Sequence, residues 1–203
     1  MATWISTCIG ALRIGAIGIG AMALAGIARA EPLYQIEVLV FARTGAPAGD
    51  ETWFPGESAK PPPGVEQAVL PTGAPSADSP LRAARQALQE NSGYRVLAYK
   101  SWTQSAQARG SAQTFRLRGD NDANPRELDG TARFYSNRSL FVELDLALEG
   151  QDPNAGLLER LSAGDKPVLF RIRESRRMRA RETHYFDHPV FGALVRVTPA
   201  GDG

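Results

Sequence analysis

Leu140-Phe141-Val142-Glu143-Leu144-Asp145-Leu146-Ala147-Leu148 sets Leu140, Val142, Leu144, Leu146 and Leu148 on one side of an extended chain and Glu143 and Asp145 on the other. Period-two alternation of this kind belongs to a strand with one buried and one wet face, the usual arrangement in an antiparallel sheet. Just before it, Ser136-Asn137-Arg138-Ser139 has turn chemistry, and Gly130 to Tyr135 is a second extended run, so the two form a hairpin. After it, Asp152-Pro153 offers a helix start with Leu157, Leu158 and Leu161 as the apolar side, and Val168 to Arg181 and Val190 to Thr198 are two further strand candidates. The stretch His184-Tyr185-Phe186-Asp187-His188-Pro189 between those strands reads as a turn.

Toward the N-terminus, Tyr34 to Ala42 alternates Tyr34, Ile36, Val38 and Val40 against Gln35 and Glu37, while Leu39 and Phe41 make its far end apolar on both sides. That pattern predicts a strand well inside a sheet. Residues 44–80 carry Pro47, Pro55, Pro61, Pro62, Pro63, Pro71, Pro75 and Pro80, so neither a ladder nor a helix propagates and a long irregular excursion is expected. Trp53-Phe54-Pro55 is expected to pin that excursion to the core. Ser79-Pro80 supplies an N-cap and a first-turn proline for a short helix with Leu81, Ala84 and Leu88 on one side and Gly93 as the stop. Tyr94 to Trp102 alternates again, with Leu97 and Lys100 out of phase.

These elements predict an α+β fold: an antiparallel sheet of about six strands with one or two short helices packed on one face. The chain has 203 residues, 43% of them hydrophobic and 22% charged, which fits one globular domain over residues 31–203. Residues 1–30 contain no acid, run apolar from Ile14 to Ile27 and end Ala28-Arg29-Ala30, the pattern of a secretory signal peptide. The apolar run is shorter than the ~20 residues of a bilayer-spanning helix, so no stable membrane insertion is expected after cleavage. Removing the signal takes away Arg13 and Arg29 and no acid, so 23 basic residues become 21 against 22 acids, formally −1. It also removes Cys8, the sole cysteine, so disulfides do not hold the exported domain together. The product is expected to be soluble outside the cytoplasm.

A near-neutral charge excludes the broad cationic surplus that nucleic-acid binding uses, so any electrostatic function is local. The local concentration is Phe170-Arg171-Ile172-Arg173-Glu174-Ser175-Arg176-Arg177-Met178-Arg179-Ala180-Arg181. If extended, it places Arg171, Arg173, Arg177, Arg179 and Arg181 on one face, a cationic stripe about 33 Å long at ~3.3 Å per residue. Neighbouring charges ~7 Å apart repel by only ~0.6 kcal/mol in water. Glu143, Asp145 and Glu149 on the adjacent strand are the acids available for a cross-strand ladder. Three acids do not neutralise five arginines, and the surplus guanidiniums suit carboxylate ligands, which they grip in a bidentate way. Cell-wall stem peptides present such carboxylates beside sugars, and Trp102, Tyr99 and Tyr185 are candidate aromatic contacts.

Catalytic chemistry has little to stand on. The exported domain has no Cys and no Gly-x-Ser-x-Gly turn. His184 and His188 lie four apart around Asp187, but in a turn, with Tyr185 where a zinc hydrolase has its general-base Glu and with no third ligand. No cofactor and no metal is expected. A metal-dependent wall hydrolase and a protein-only interaction adaptor are the alternatives to a binding protein.

Phe170 to Arg179 and the following Glu-Thr-His-Tyr-Phe-Asp-His-Pro-Val-Phe-Gly run at Glu182 to Gly192 resemble the C-terminal signature of the CsiV family, periplasmic peptidoglycan-binding proteins of Gram-negative bacteria. Tyr34 to Arg43, Tyr94 to Trp102 and Leu128 to Arg138 extend the likeness over most of the exported domain. The resemblance implies peptidoglycan binding without catalysis. It also implies support of a wall-synthesising penicillin-binding protein through that synthase's outer-membrane lipoprotein activator. It brings no ligand-contact residues, so the site rests on the charge argument.

Overall fold

The computed structural model describes residues 31–44, 62–124, 127–150 and 168–201. The chain divides into two units, Met1–Ala30 and Glu31–Gly203. The signal segment, Trp53-Phe54-Pro55 and the helix expected from Asp152 all lie outside the described residues.

In the second unit the elements are β1 (Leu33–Arg43), a 3-10 turn (Val65–Gln67), α1 (Pro80–Glu90), β2 (Tyr94–Ser105), β3 (Thr114–Arg118), β4 (Leu128–Ser136), β5 (Leu140–Gly150), β6 (Val168–Met178), β7 (Thr183–Asp187) and β8 (Phe191–Pro199). They form two four-stranded sheets, ordered β2-β1-β8-β7 and β3-β4-β5-β6. All their ladders are antiparallel. The antiparallel α+β expectation stands, but about six strands in one sheet become eight in two among the described residues.

Two features account for the difference. Thr-Phe-Arg-Leu-Arg at Thr114–Arg118 forms a short edge strand, paired with β4, inside what reads as loop, burying Phe115 and Leu117. The long Val168 to Arg181 run stops at Met178 because the chain turns there, with Arg181 at a positive φ of 67°. It re-enters as β7 in the other sheet, so most of the His184 to Pro189 stretch expected as a turn is strand.

The inner faces of the sheets share one apolar core. Ile36, Val38, Val40, Phe186, Phe191, Val195 and Val197 come from the first sheet, and Phe115, Phe134, Val142, Leu144, Leu146, Phe170 and Ile172 from the second. Each strand contributes alternate residues, as two stacked sheets require. The outer face of the first sheet is covered by α1: Leu81 is buried with Leu39 and Tyr99, and Ala84, Leu88, Val96 and Leu194 pack around them. This second apolar contact is why β1 is hydrophobic on both sides.

A bulge explains the misplaced Leu97. Val40 pairs with Ala98 and Phe41 with Val96, so Leu97 is the unpaired extra residue, turned into the core. The helix begins as its sequence dictates: Ser79 Oγ accepts from the Leu81 amide at 3.2 Å and donates to the buried Glu37 carboxylate at 2.7 Å.

The described part of the proline-rich excursion seals sheet edges. Val69 bridges to Phe115, with Arg116 N donating to Val69 O at 2.8 Å, and Gly73 N donates to Ser101 O at 3.0 Å. The open edges of β3 and β2 are thereby partly paired, which blunts edge-to-edge association. On the opposite side, Arg176 ties β6 to β7: its Nη1 donates to Tyr185 O, its guanidinium lies 4.7 Å over the Phe186 ring, and its Nε donates to Glu174 at 2.8 Å.

Candidate functional site: the arginine face of the second sheet

The outer face of the second sheet is built in rows set by strand register. Tyr135 of β4, Phe141 of β5 and Arg177 of β6 form the row nearest the hairpin turn. The next holds Thr114, Arg133, Glu143 and Ser175; then come Arg116, Thr131, Asp145 and Arg173; then Arg118, Asp129, Ala147 and Arg171. Alternation that buries Leu144 and Leu146 on the inner side necessarily sends these residues outward.

Coordinates identify which arginines the protein neutralises itself. Arg116 grips Asp129 through Nε and Nη2 at 2.9 and 2.6 Å. Arg171 grips Asp145 at 2.7 Å through each of the same two nitrogens. Hydrogen bonding to Asp145 raises the Arg171 pKa and hydrogen bonding to Asp129 raises that of Arg116, against the opposing effect of burial. From the loop after β2, Arg109 donates to Glu143 at 2.7 Å, and Arg133 stands 3.8 Å from the same carboxylate.

Arg118, Arg173 and Arg177 are what remains; Arg118 is half-buried, with its Nε buried and without a hydrogen-bond partner among the described residues, so the exposed ones are Arg173 and Arg177. Arg173 is 3.9 Å from Asp145, an oxygen already taken by Arg171, and its side chain is 75% exposed. Arg177 is exposed and has no ion-pair or hydrogen-bond partner among the described residues. Between the rows lies an open groove of about 390 Å³ lined by Thr131, Arg133, Glu143, Asp145, Arg173 and Ser175. Arg109, Arg133 and Arg173 face the carboxylates of Glu143, Asp145 and Glu174 there, with hydroxyls between them, and Arg173 is the arginine of this set whose guanidinium donates no hydrogen bond among the described residues.

The other expected site residues are placed elsewhere. Arg179 and Arg181 follow the end of β6 in the turn to β7 and do not continue the stripe, which therefore spans Arg171 to Arg177. Arg179 is 3.7 Å from Glu182, and the Arg181 amide donates to Val197 O at 2.7 Å. Trp102 is a core residue, 2% exposed and stacked on Phe115 at 4.7 Å, so it offers no face to a sugar. Its own strand phase, shared with Ala98, already pointed inward.

Tyr185 is on the outer side of the first sheet. Its hydroxyl accepts from Arg43 at 2.6 Å and donates to Asp187 at 2.5 Å, while its ring stacks on Phe41. Burial, with the Asp187 carboxylate, pushes its pKa up to about 12. His184 and His188 are not brought together: four extended residues separate them by ~13 Å. His184 Nε2 accepts from the Arg179 amide at 3.2 Å, and His188 packs between Phe170 and Phe191. Burial lowers both imidazole pKa values. Among the described residues no three His, Cys, Asp or Glu side chains converge on a metal position.

Sequence reading missed Arg109, Arg133, Tyr135 and Phe141. Phe141 shares the strand phase of Glu143 and Asp145 and was legible as an aromatic residue on the polar face. Arg109 was not, because a loop delivers it.

A family model described as "Peptidoglycan-binding protein, CsiV" matches residues 67–200. No curated protein and no solved structure matches the chain. The matched span contains every strand of the second sheet and every arginine of its outer face.

Proposed function

The chain belongs to the CsiV family of peptidoglycan-binding proteins, and from that premise we propose that it is a non-enzymatic periplasmic protein that binds stem-peptide carboxylates of the wall through Arg173 and Arg177. The observation that carries this reading is the division of labour on β6: Asp145 neutralises Arg171 and leaves the next two outward arginines available. Arg109 and Arg133 keep Glu143 occupied, so that carboxylate does not compete for Arg173. In this reading the protein supports wall synthesis by a penicillin-binding protein, acting through the synthase's outer-membrane lipoprotein activator. Support for that partnership is the family likeness.

Co-sedimentation with purified sacculi tests the binding, and its salt dependence tests the mechanism. Screening shrinks the Debye length from ~10 Å at 0.1 M to ~3 Å at 1 M salt. Binding is therefore expected at low salt and lost on raising it, with no muropeptides released with or without chelator. Released muropeptides would assign an enzyme instead, and salt-independent sedimentation would remove the arginines from the account.

A further inference from the structure

Phe141 is a half-buried aromatic ring on the polar face of the sheet, in line with Glu143 and Asp145. It stacks on its register partner Tyr135 at 5.3 Å with the rings 10° from parallel. Tyr135 is the more buried member, 7% exposed, with Arg109 6.0 Å over its ring and its hydroxyl 3.3 Å from Ser175 Oγ. Arg177 stands on the opposite side of Phe141. The result is a stacked aromatic pair with Arg109 at its Tyr135 end, Arg177 beside Phe141, and a carboxylate, Glu143, one row away.

We propose that Phe141, backed by Tyr135, is a stacking step for an amino-sugar ring, and that the ligand of this face is a glycopeptide lying along β5 and β6. The proposal rests on the reading that Arg173 and Arg177 take peptide carboxylates. A pyranose has an apolar C–H side suited to an aromatic face and a rim of hydroxyl and acetamido groups suited to Arg177, Ser175 and Glu143. A peptide alone has no such ring to place there. The spacing also agrees: Phe141 and the Asp145–Arg173 row are four residues apart along β5, or ~13 Å, the reach of about four extended residues. A sugar on Phe141 therefore leaves the carboxylate end of a short stem peptide at Arg173.

The test compares two probes: a disaccharide-tetrapeptide freed from sacculi by a muramidase, and the same tetrapeptide without sugar. Calorimetry with the full exported domain is expected to show the glycopeptide binding about five- to tenfold tighter than the free peptide. Phe141→Ala is expected to erase that preference while leaving free-peptide affinity unchanged, and Phe141→Trp to keep it. Equal wild-type affinity for both probes, or a folded Phe141→Ala protein that retains the preference, overturns the proposal. A wild type that binds neither probe and does not sediment with sacculi overturns the arginine reading beneath it.

Discussion

Arg171 reaches diagonally across the sheet and holds both oxygens of Asp145 at 2.7 Å, leaving Arg173, the direct register partner of Asp145, at 3.9 Å. The diagonal choice gives one arginine a structural task and exposes the next. Side chains that alternate identically along one strand thus differ in what they are free to do.

Asp145→Asn separates these tasks. Arg171 and Asp145 are only partly exposed, so weakening their forked pair is expected to cost about 1 kcal/mol in urea unfolding. Sacculus binding is expected to hold or strengthen, because the substitution removes a negative charge beside Arg173. A variant of normal stability that binds less well would mean that Asp145 itself contacts the ligand.

Glu37 is the second structural carboxylate to test. It is 2% exposed and accepts from Ser79 Oγ at 2.7 Å, Tyr99 Oη at 3.0 Å and the Ser76 amide at 3.2 Å, joining the helix start and the edge-sealing segment to β1. Glu37→Ala strands these donors and is expected to cost about 2–3 kcal/mol, whereas Tyr99→Phe costs about 1. Both are read as shifts in denaturation midpoint, with sacculus binding by the folded fraction unchanged.

Acid sensitivity follows from two histidines. Burial holds His184 and His188 below the ordinary imidazole pKa of 6.5, so the unfolded chain takes up protons first. Stability is therefore full above about pH 6.5 and falls as pH drops through the folded values. Hydrogen bonding from Tyr185, together with Arg43, holds Asp187 below its usual carboxylate value, adding a further loss at more acid pH. Thermal midpoints from pH 8 to 5 are expected to decline, and His188→Gln to shallow the decline. An identical slope in that variant would remove His188 from the explanation.

The sequence was most legible where one strand carries its own instruction. The β5 alternation, the two-sided β1 and the Ser79-Pro80 helix start follow from side-chain period and capping chemistry alone. Less legible was anything decided between strands. Alternation shows which face of Val168–Met178 is polar, but not that the chain leaves the sheet before Arg179, because a positive φ at Arg181 has no glycine to announce it. It shows an apolar phase for Trp102 but not the Phe115 ring waiting across the core. For the site, parity alone groups Arg171, Arg173 and Arg177, whereas register decides which of them Asp145 neutralises.

The central claim is that Arg173 and Arg177 hold the wall, and sacculus co-sedimentation of Arg173→Ala/Arg177→Ala at low salt tests it most directly. Each exposed charge-assisted contact is worth about 1 kcal/mol, so a double variant with an unchanged thermal midpoint is expected to bind about tenfold or more weakly. Arg179→Ala/Arg181→Ala, altered in the turn beyond the strand, is expected to bind almost normally. A folded Arg173→Ala/Arg177→Ala protein that sediments like the wild type would contradict the account.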